Sequence, residues 1–188
     1  MPLNSVAYAS VMVTLALWGA PYLADVHGLD SVTAADILAA MAIAMMVGSI
    51  GYGWLGPRLV STKPARLSGA AAVAVIYLVL GAAPAVGVGG LAALFCAFGL
   101  ISAYSVLLLS HVRTLFADYL VGRGLTTANL FSFIGVGIIQ AMSGWIVGAW
   151  PAAADGARPP EAYQALFWFL AAIVACAAAV YALARKPR

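Results

Sequence analysis

Residues 51–64 read GYGWLGPRLVSTKP, and they interrupt a chain that is oily on both sides of them. Pro57 removes a backbone donor and stops a helix, glycines let two helices approach closely, and Arg58 and Lys63 hold a short turn at a membrane surface. A turn of this kind implies a membrane span on each side, so the flanking sequence decides the fold.

The flanks support that reading. Of 188 residues, 65% are apolar and 8% are charged, with a mean hydropathy of +1.04, whereas a soluble domain carries about 25% charged residues. Crossing a bilayer core takes roughly 20 apolar residues of helix. Six uncharged runs reach that scale, at about residues 5–24, 37–55, 67–84, 86–110, 125–150 and 162–184. None alternates in polarity as a short barrel strand would, which leaves helices to satisfy the backbone in lipid. The expected fold is all-α, one polytopic domain of six transmembrane helices over residues 1–188. The first run has no basic stretch before it and no small-residue cleavage site, so it is read as a span and not as a removable signal. Cys96 and Cys176 sit in separate apolar runs without CxxC or Cys/His spacing, and are read as packing residues.

Charge sets the expected orientation. Arg58, Lys63 and Arg66 follow the second run, Arg113 and Arg123 the fourth, and Arg185, Lys186 and Arg188 the sixth, which places eight of nine basic residues on one side. The opposite loops carry Asp25, Asp30, Asp155, Glu161 and Arg158, with Asp36 at the start of the second helix. Short basic loops stay cytoplasmic, so both termini are expected inside, in a cell (inner) membrane. The basic residues adjoin spans and have no folded domain to present them, which favours contact with anionic lipid and argues against nucleic acid.

The opening stretch resembles the cytoplasmic loop between the second and third helices of a major facilitator superfamily half, whose pattern is G-x-L-a-D-R-x-G-R-[KR]. Gly53, Leu55, Gly56, Arg58 and Lys63 fit in order, while Pro57 replaces the acid and Val60 the later glycine. Such a worn copy points to the carboxy-terminal half. LWGAPYLADVHGL at residues 17–29 is similar to the end of that family's seventh helix. HVRTLFADYLVGRGLTTANLFSFIGVGIIQAMSGW at 111–145 is similar to its tenth-to-eleventh helix region, including Gly122, Arg123, Gln140, Gly144 and Trp145. The resemblance implies alternating-access transport of a small solute, with a substrate site between two six-helix halves. No second repeat of the chain is visible, so the resemblance implies a partner half, either a second copy or a separate chain.

Two stripes are candidates for a substrate site. Thr14, Trp18, Tyr22 and Asp25 share a face of the first helix, and Asn129, Phe133, Val136, Gln140 and Ser143 share one of the fifth. Trp18, Tyr22, Asp25, Gln140 and Asn129 are the expected substrate contacts. Pro21 opens the backbone of the first helix locally, which is tolerated against protein or water. A second reading stays open, in which Trp18 packs, Tyr22 belongs to an interfacial belt, Asp25 reaches outer water, and Gln140 makes an interhelical hydrogen bond. Ser102, Tyr104 and Ser105 offer a third polar row. Gly144 and Gly148 form a GxxxG step, and His111 is read as a helix-end cation.

The Ser143–Gly144 pair superficially resembles a membrane serine protease. His27 and His111 lie near helix ends and before that serine, and no GxSG, HExxH, paired-acid or phosphate-loop motif occurs. No enzyme activity, cofactor or metal is expected. The alternative to a half-transporter is a truncated or structural membrane protein without transport.

Overall fold

The structure, a computed structural model, describes residues 2–58, 62–82, 85–108, 118–154 and 156–183, and the regular elements among them are all helical. Helix α1 (Pro2–Val13) passes through a π-helical turn, Thr14–Trp18, into α2 (Gly19–His27), and the three pieces form the first span. Next come α3 (Ser31–Leu55), a 3-10 turn (Gly56–Arg58), α4 (Thr62–Gly81), α5 (Val88–Ser102), a 3-10 turn (Asp118–Leu120), α6 (Val121–Gly148) and α7 (Pro160–Leu183). Among the described residues six helices are long and apolar enough to cross a membrane: Leu3–His27, Ser31–Arg58, Lys63–Gly81, Val88–Leu108, Val121–Gly148 and Pro160–Leu183. The protein is an all-α polytopic membrane protein, as its composition implies. His111, Arg113, Asp155, Arg185, Lys186 and Arg188 lie outside the described residues.

Helix boundaries follow local chemistry. Gly28 ends α2 in a left-handed conformation at φ 65°, which a side chain would strain, and its N–H donates to Ala24 O at 2.9 Å. Asp30 then caps α3. Its carboxylate accepts from the Thr33 hydroxyl at 2.7 Å and from the Val32 and Thr33 amides, and the Thr33 hydroxyl bond is foremost in holding its pKa below the usual carboxylate range.

One boundary departs from the sequence expectation. The third span starts at Thr62, so Lys63 and Arg66 stand on its first turns and not in a loop. Arg66 is 5% exposed, with its guanidinium donating to the Tyr181 hydroxyl and lying 5.6 Å from that ring's centroid. Lys63 Nζ donates to Ala182 O at 2.9 Å. Long basic side chains can bury their stems along a neighbouring helix while the heads stay near its end. Here they tie the start of α4 to the end of α7.

The most extensive contacts join the first span to the fifth, the second to the fourth, and the third to the sixth. Residue pairs give the directions. Asn4 meets Ser132 and Trp18 meets Ser143, so α1–α2 and α6 run parallel. Met41 meets Gly99 and Leu107 meets Gly56, so α3 and α5 also run parallel. Lys63 meets Ala182 and Gly81 meets Trp168, so α4 and α7 run antiparallel. Exchanging spans one to three with spans four to six turns this set of pairs into itself, and each exchanged span has the opposite direction. Contacts between the first and sixth spans and between the third and fourth obey the same exchange, whereas those between the fifth and sixth and between the first and second have no counterpart of like extent among the described residues.

The parallel α3–α5 pair depends on two missing side chains. A Cβ on Gly99 would lie 2.2 Å from Met41 O, and one on Gly48 would lie 2.5 Å from Leu100 O. Both obstacles are backbone atoms, which cannot rotate away. Gly99→Ala is therefore expected to lower stability by about 1–3 kcal/mol through forced separation of the helices. Gly53→Ala, with open space around the position, is expected to be neutral or to stabilise by about 0.5–1 kcal/mol. Thermal unfolding in mild detergent checks both, and equal effects would refute the close-approach account.

Candidate solute cavity

A wide turn shapes the first span. Pro21 has no N–H to offer the turn before it, and the structure opens there into the π-helical turn, where Gly19 N–H bonds to Thr14 O. The extra residue shifts the register of side chains beyond it, so the stripe of Thr14, Trp18, Tyr22 and Asp25 does not stay on one wall.

Thr14 and Tyr22 enter the bundle interior. Thr14 Oγ1 meets Tyr77 Oη at 3.1 Å, and the Tyr22 hydroxyl donates to Leu80 O at 2.9 Å. Tyr22 is fully buried, with Phe167 edge-on at 4.9 Å, His27 at 5.0 Å and Tyr163 at 5.7 Å. It lines neither of the two cavities described below. Trp18 is half-buried and turns to α6, where Nε1 donates to Ser143 Oγ at 2.8 Å; Ser143 donates in turn to Gln140 O at 2.7 Å. Asp25 latches the loop before α7. Its Oδ2 accepts from the Tyr163 hydroxyl at 2.6 Å and from the Arg158 amide at 2.9 Å, while the Arg158 guanidinium donates to Trp150 O.

The open polar space lies at the other end of the same two helices. A cavity of about 300 Å³ opens between α1, α6 and the end of the fourth span, with Asn4, Tyr8, Ser105, Asn129 and Ser132 as its polar wall and Phe133 as an aromatic one. Small-ligand pockets begin at about this volume. A second space of about 160 Å³ shares Tyr8 and Ser105 and reaches Met45, Ser49 and Ser102. Asn4 Nδ2 donates to Ser132 Oγ at 3.0 Å, and the Tyr8 and Phe133 rings meet edge to face at 6.0 Å.

Ser105 owes its position to a break in the fourth span. Helix α5 ends at Ser102, and Tyr104 N bonds to Ile101 O and Leu107 N to Tyr104 O in tight i→i+3 turns. Ser102 is buried and donates to Gly99 O at 2.8 Å; Tyr104 is buried too, and its hydroxyl has no partner among the described residues.

The structure thus brings Asn129, Phe133, Ser102 and Ser105 to two adjoining cavities. It sets Trp18, Gln140 and Ser143 together further along α6, and it assigns Tyr22 to the core and Asp25 to a loop contact. Asn4, Tyr8, Ser49 and Ser132 were missed by the sequence reading. Asn4 and Tyr8, four residues apart at the start of an apolar run, were a signal; so was Ser132, three residues after Asn129. Gly144 and Gly148 face open space, Cys176 is exposed and Cys96 half-buried, so neither the glycine step nor Cys176 packs inside this chain. Among the described residues no group of His, Cys, Asp and Glu is placed to hold a metal ion.

The fold and cavity define a polytopic helical membrane protein with a polar cleft among its spans. Comparison with known proteins adds no relative: no family model matches the chain, and no curated protein or solved structure is significantly similar to it.

Asp25→Ala would strand the Tyr163 hydroxyl and the Arg158 amide beside water, at an expected cost of about 1–2 kcal/mol, and Asn in its place would cost less because it still accepts. Thiol labelling of an Ala154→Cys reporter should quicken in the Asp25→Ala background as residues 149–160 loosen. Unchanged labelling would show that Asp25 does not hold that loop.

Proposed function

We propose that this chain is a six-helix half of a major-facilitator-type transporter that moves a small solute by alternating access together with a second six-helix unit. One observation carries the reading. The most extensive pairings of the spans survive exchange of the first three with the last three, in opposite directions, and inverted three-plus-three repeats within a six-helix half are the construction of that transporter class.

Two further observations support it. Only 22% of the membrane windows of α3 and α6 is buried, against 33–50% in the other spans, and these two spans exchange with one another under the same operation. They are the faces a second unit would cover. Gln140 lies eight residues, about 12 Å at the helical rise, inside the end of α6, and its side-chain amide has no hydrogen-bond partner among the described residues. A polar amide in lipid is costly, so a water-filled cavity or a partner helix suits it better. The end bearing Arg58, Lys63, Arg66 and Arg123 is cytoplasmic in this proposal.

Thiol access tests the proposal without knowledge of the solute. In a variant with Cys96 and Cys176 replaced by Ala, Gln140→Cys should react with an impermeant aqueous thiol reagent, and alternating access predicts reaction from both membrane faces. Ile138→Cys, on an exposed apolar position of the same helix, should stay inert. If Gln140→Cys is inert from both faces, no transport cavity passes it and the competing reading, a membrane protein without transport, stands.

A further inference from the structure

The two adjoining cavities carry a statement about the solute. Their polar lining is an amide pair, a phenol and four hydroxyls, Asn4, Asn129, Tyr8, Ser49, Ser102, Ser105 and Ser132, and no charged side chain among the described residues joins it. Several of these groups are uncommitted. The Tyr8 hydroxyl, the Ser105 hydroxyl and the Asn129 amide have no hydrogen-bond partner among the described residues. Ser49, Ser102 and Ser132 spend their protons on Met45 O, Gly99 O and Ala128 O, which leaves their oxygens as acceptors. Asn4 spends one N–H on Ser132 and keeps a carbonyl.

Among the described residues such a wall offers both donors and acceptors and no net charge. A bare cation or anion entering it would lose hydration without gaining a counter-ion from the described residues, which is expensive in a low-dielectric site. A hydroxyl group both donates and accepts, and matches a mixed wall with little desolvation loss. The Tyr8–Phe133 pair adds an apolar surface on one side, suited to the C–H face of a ring or carbon chain.

We infer that the cleft between α1, the end of the fourth span and α6 binds a neutral polyhydroxylated small molecule, a sugar or polyol, with Asn129 and Ser105 as direct hydrogen-bonding contacts. As a statement about the transported solute it rests on the transporter reading; as a statement about binding it does not.

The test uses the full chain in lipid nanodiscs, heated with millimolar D-glucose, D-galactose, myo-inositol, glycerol, choline, glycine betaine, succinate or phosphate. The expected result is saturable stabilisation by at least one neutral polyol and none by the charged compounds. Asn129→Ala and Ser105→Ala should each weaken the apparent affinity about tenfold. Asn129 is exposed at the cavity rim, so its variant should unfold at the wild-type temperature without ligand. No stabilisation by any neutral compound, stabilisation by a charged one that these substitutions abolish, or a polyol effect that survives both substitutions would each overturn the inference. Uptake of the same compounds into vesicles of native membrane, where a second unit is present, separates it from the transporter reading. Binding without uptake overturns transport and keeps the site, whereas uptake of a charged compound alone keeps transport and overturns the neutral-solute site.

Discussion

In lipid, apolar side chains gain little by leaving the bilayer for a neighbouring helix, so helices associate through close backbone approach and hydrogen bonds. The approach of α3 to α5 at Gly48 and Gly99 is the constraint from which much of this bundle follows. With backbone atoms in contact along a parallel pair, the fourth span is held in place, and its break at Ala103–Tyr104 falls beside α1 and α6. Gly69 repeats the device on the other side, where a Cβ would lie 2.6 Å from the Tyr104 ring. Ser105 is thereby delivered to the cavity wall while Tyr104 is locked in the interior.

The first span supplies the opposite behaviour, a helix that changes its face partway. At the start of the span Asn4 and Tyr8 look toward the cavity; past the π-helical turn Trp18 reaches Ser143 and Tyr22 drops into the aromatic cluster of Phe95, Tyr163 and Phe167. One helix therefore serves the polar cleft at one end and the packed core at the other. The Asp25 contacts with Tyr163 and Arg158 tie the core end together, and the larger polar cavity lies at the end bearing the basic residues, with a smaller space of about 120 Å³ beside Gly81 and Glu161 at the other.

Six spans were legible in the sequence because uncharged length is a strong signal and charge marks the turns. The beginning of α4 was misplaced because Lys63 and Arg66 count as loop residues by charge, while Tyr181 and the Ala182 carbonyl, far away in sequence, make their burial acceptable. Of the site, Asn129 was legible as a polar residue on a helical stripe. Tyr22 and Asp25 were placed on a cavity by ideal helical spacing, and a π-helical turn is the kind of local change that spacing cannot register. Serines such as Ser132 were passed over because hydroxyls in membrane helices so often bond their own backbone, as Ser132 does to Ala128.

The proposal of a half-transporter makes one central claim, that the exposed faces of the thinly covered α3 and α6 dock a second six-helix unit. Gly144 marks the α6 face, with open space at its Cα and Trp145 exposed beside it. The most direct measurement attaches a benzophenone photo-crosslinker to Gly144→Cys, in the chain lacking Cys96 and Cys176, and irradiates native membranes, with Leu78→Cys on the exposed side of α4 as the comparison. The account predicts a protein adduct from Gly144→Cys, with a second copy or another membrane chain, and lipid adducts alone from Leu78→Cys. Lipid adducts alone from both positions would contradict it.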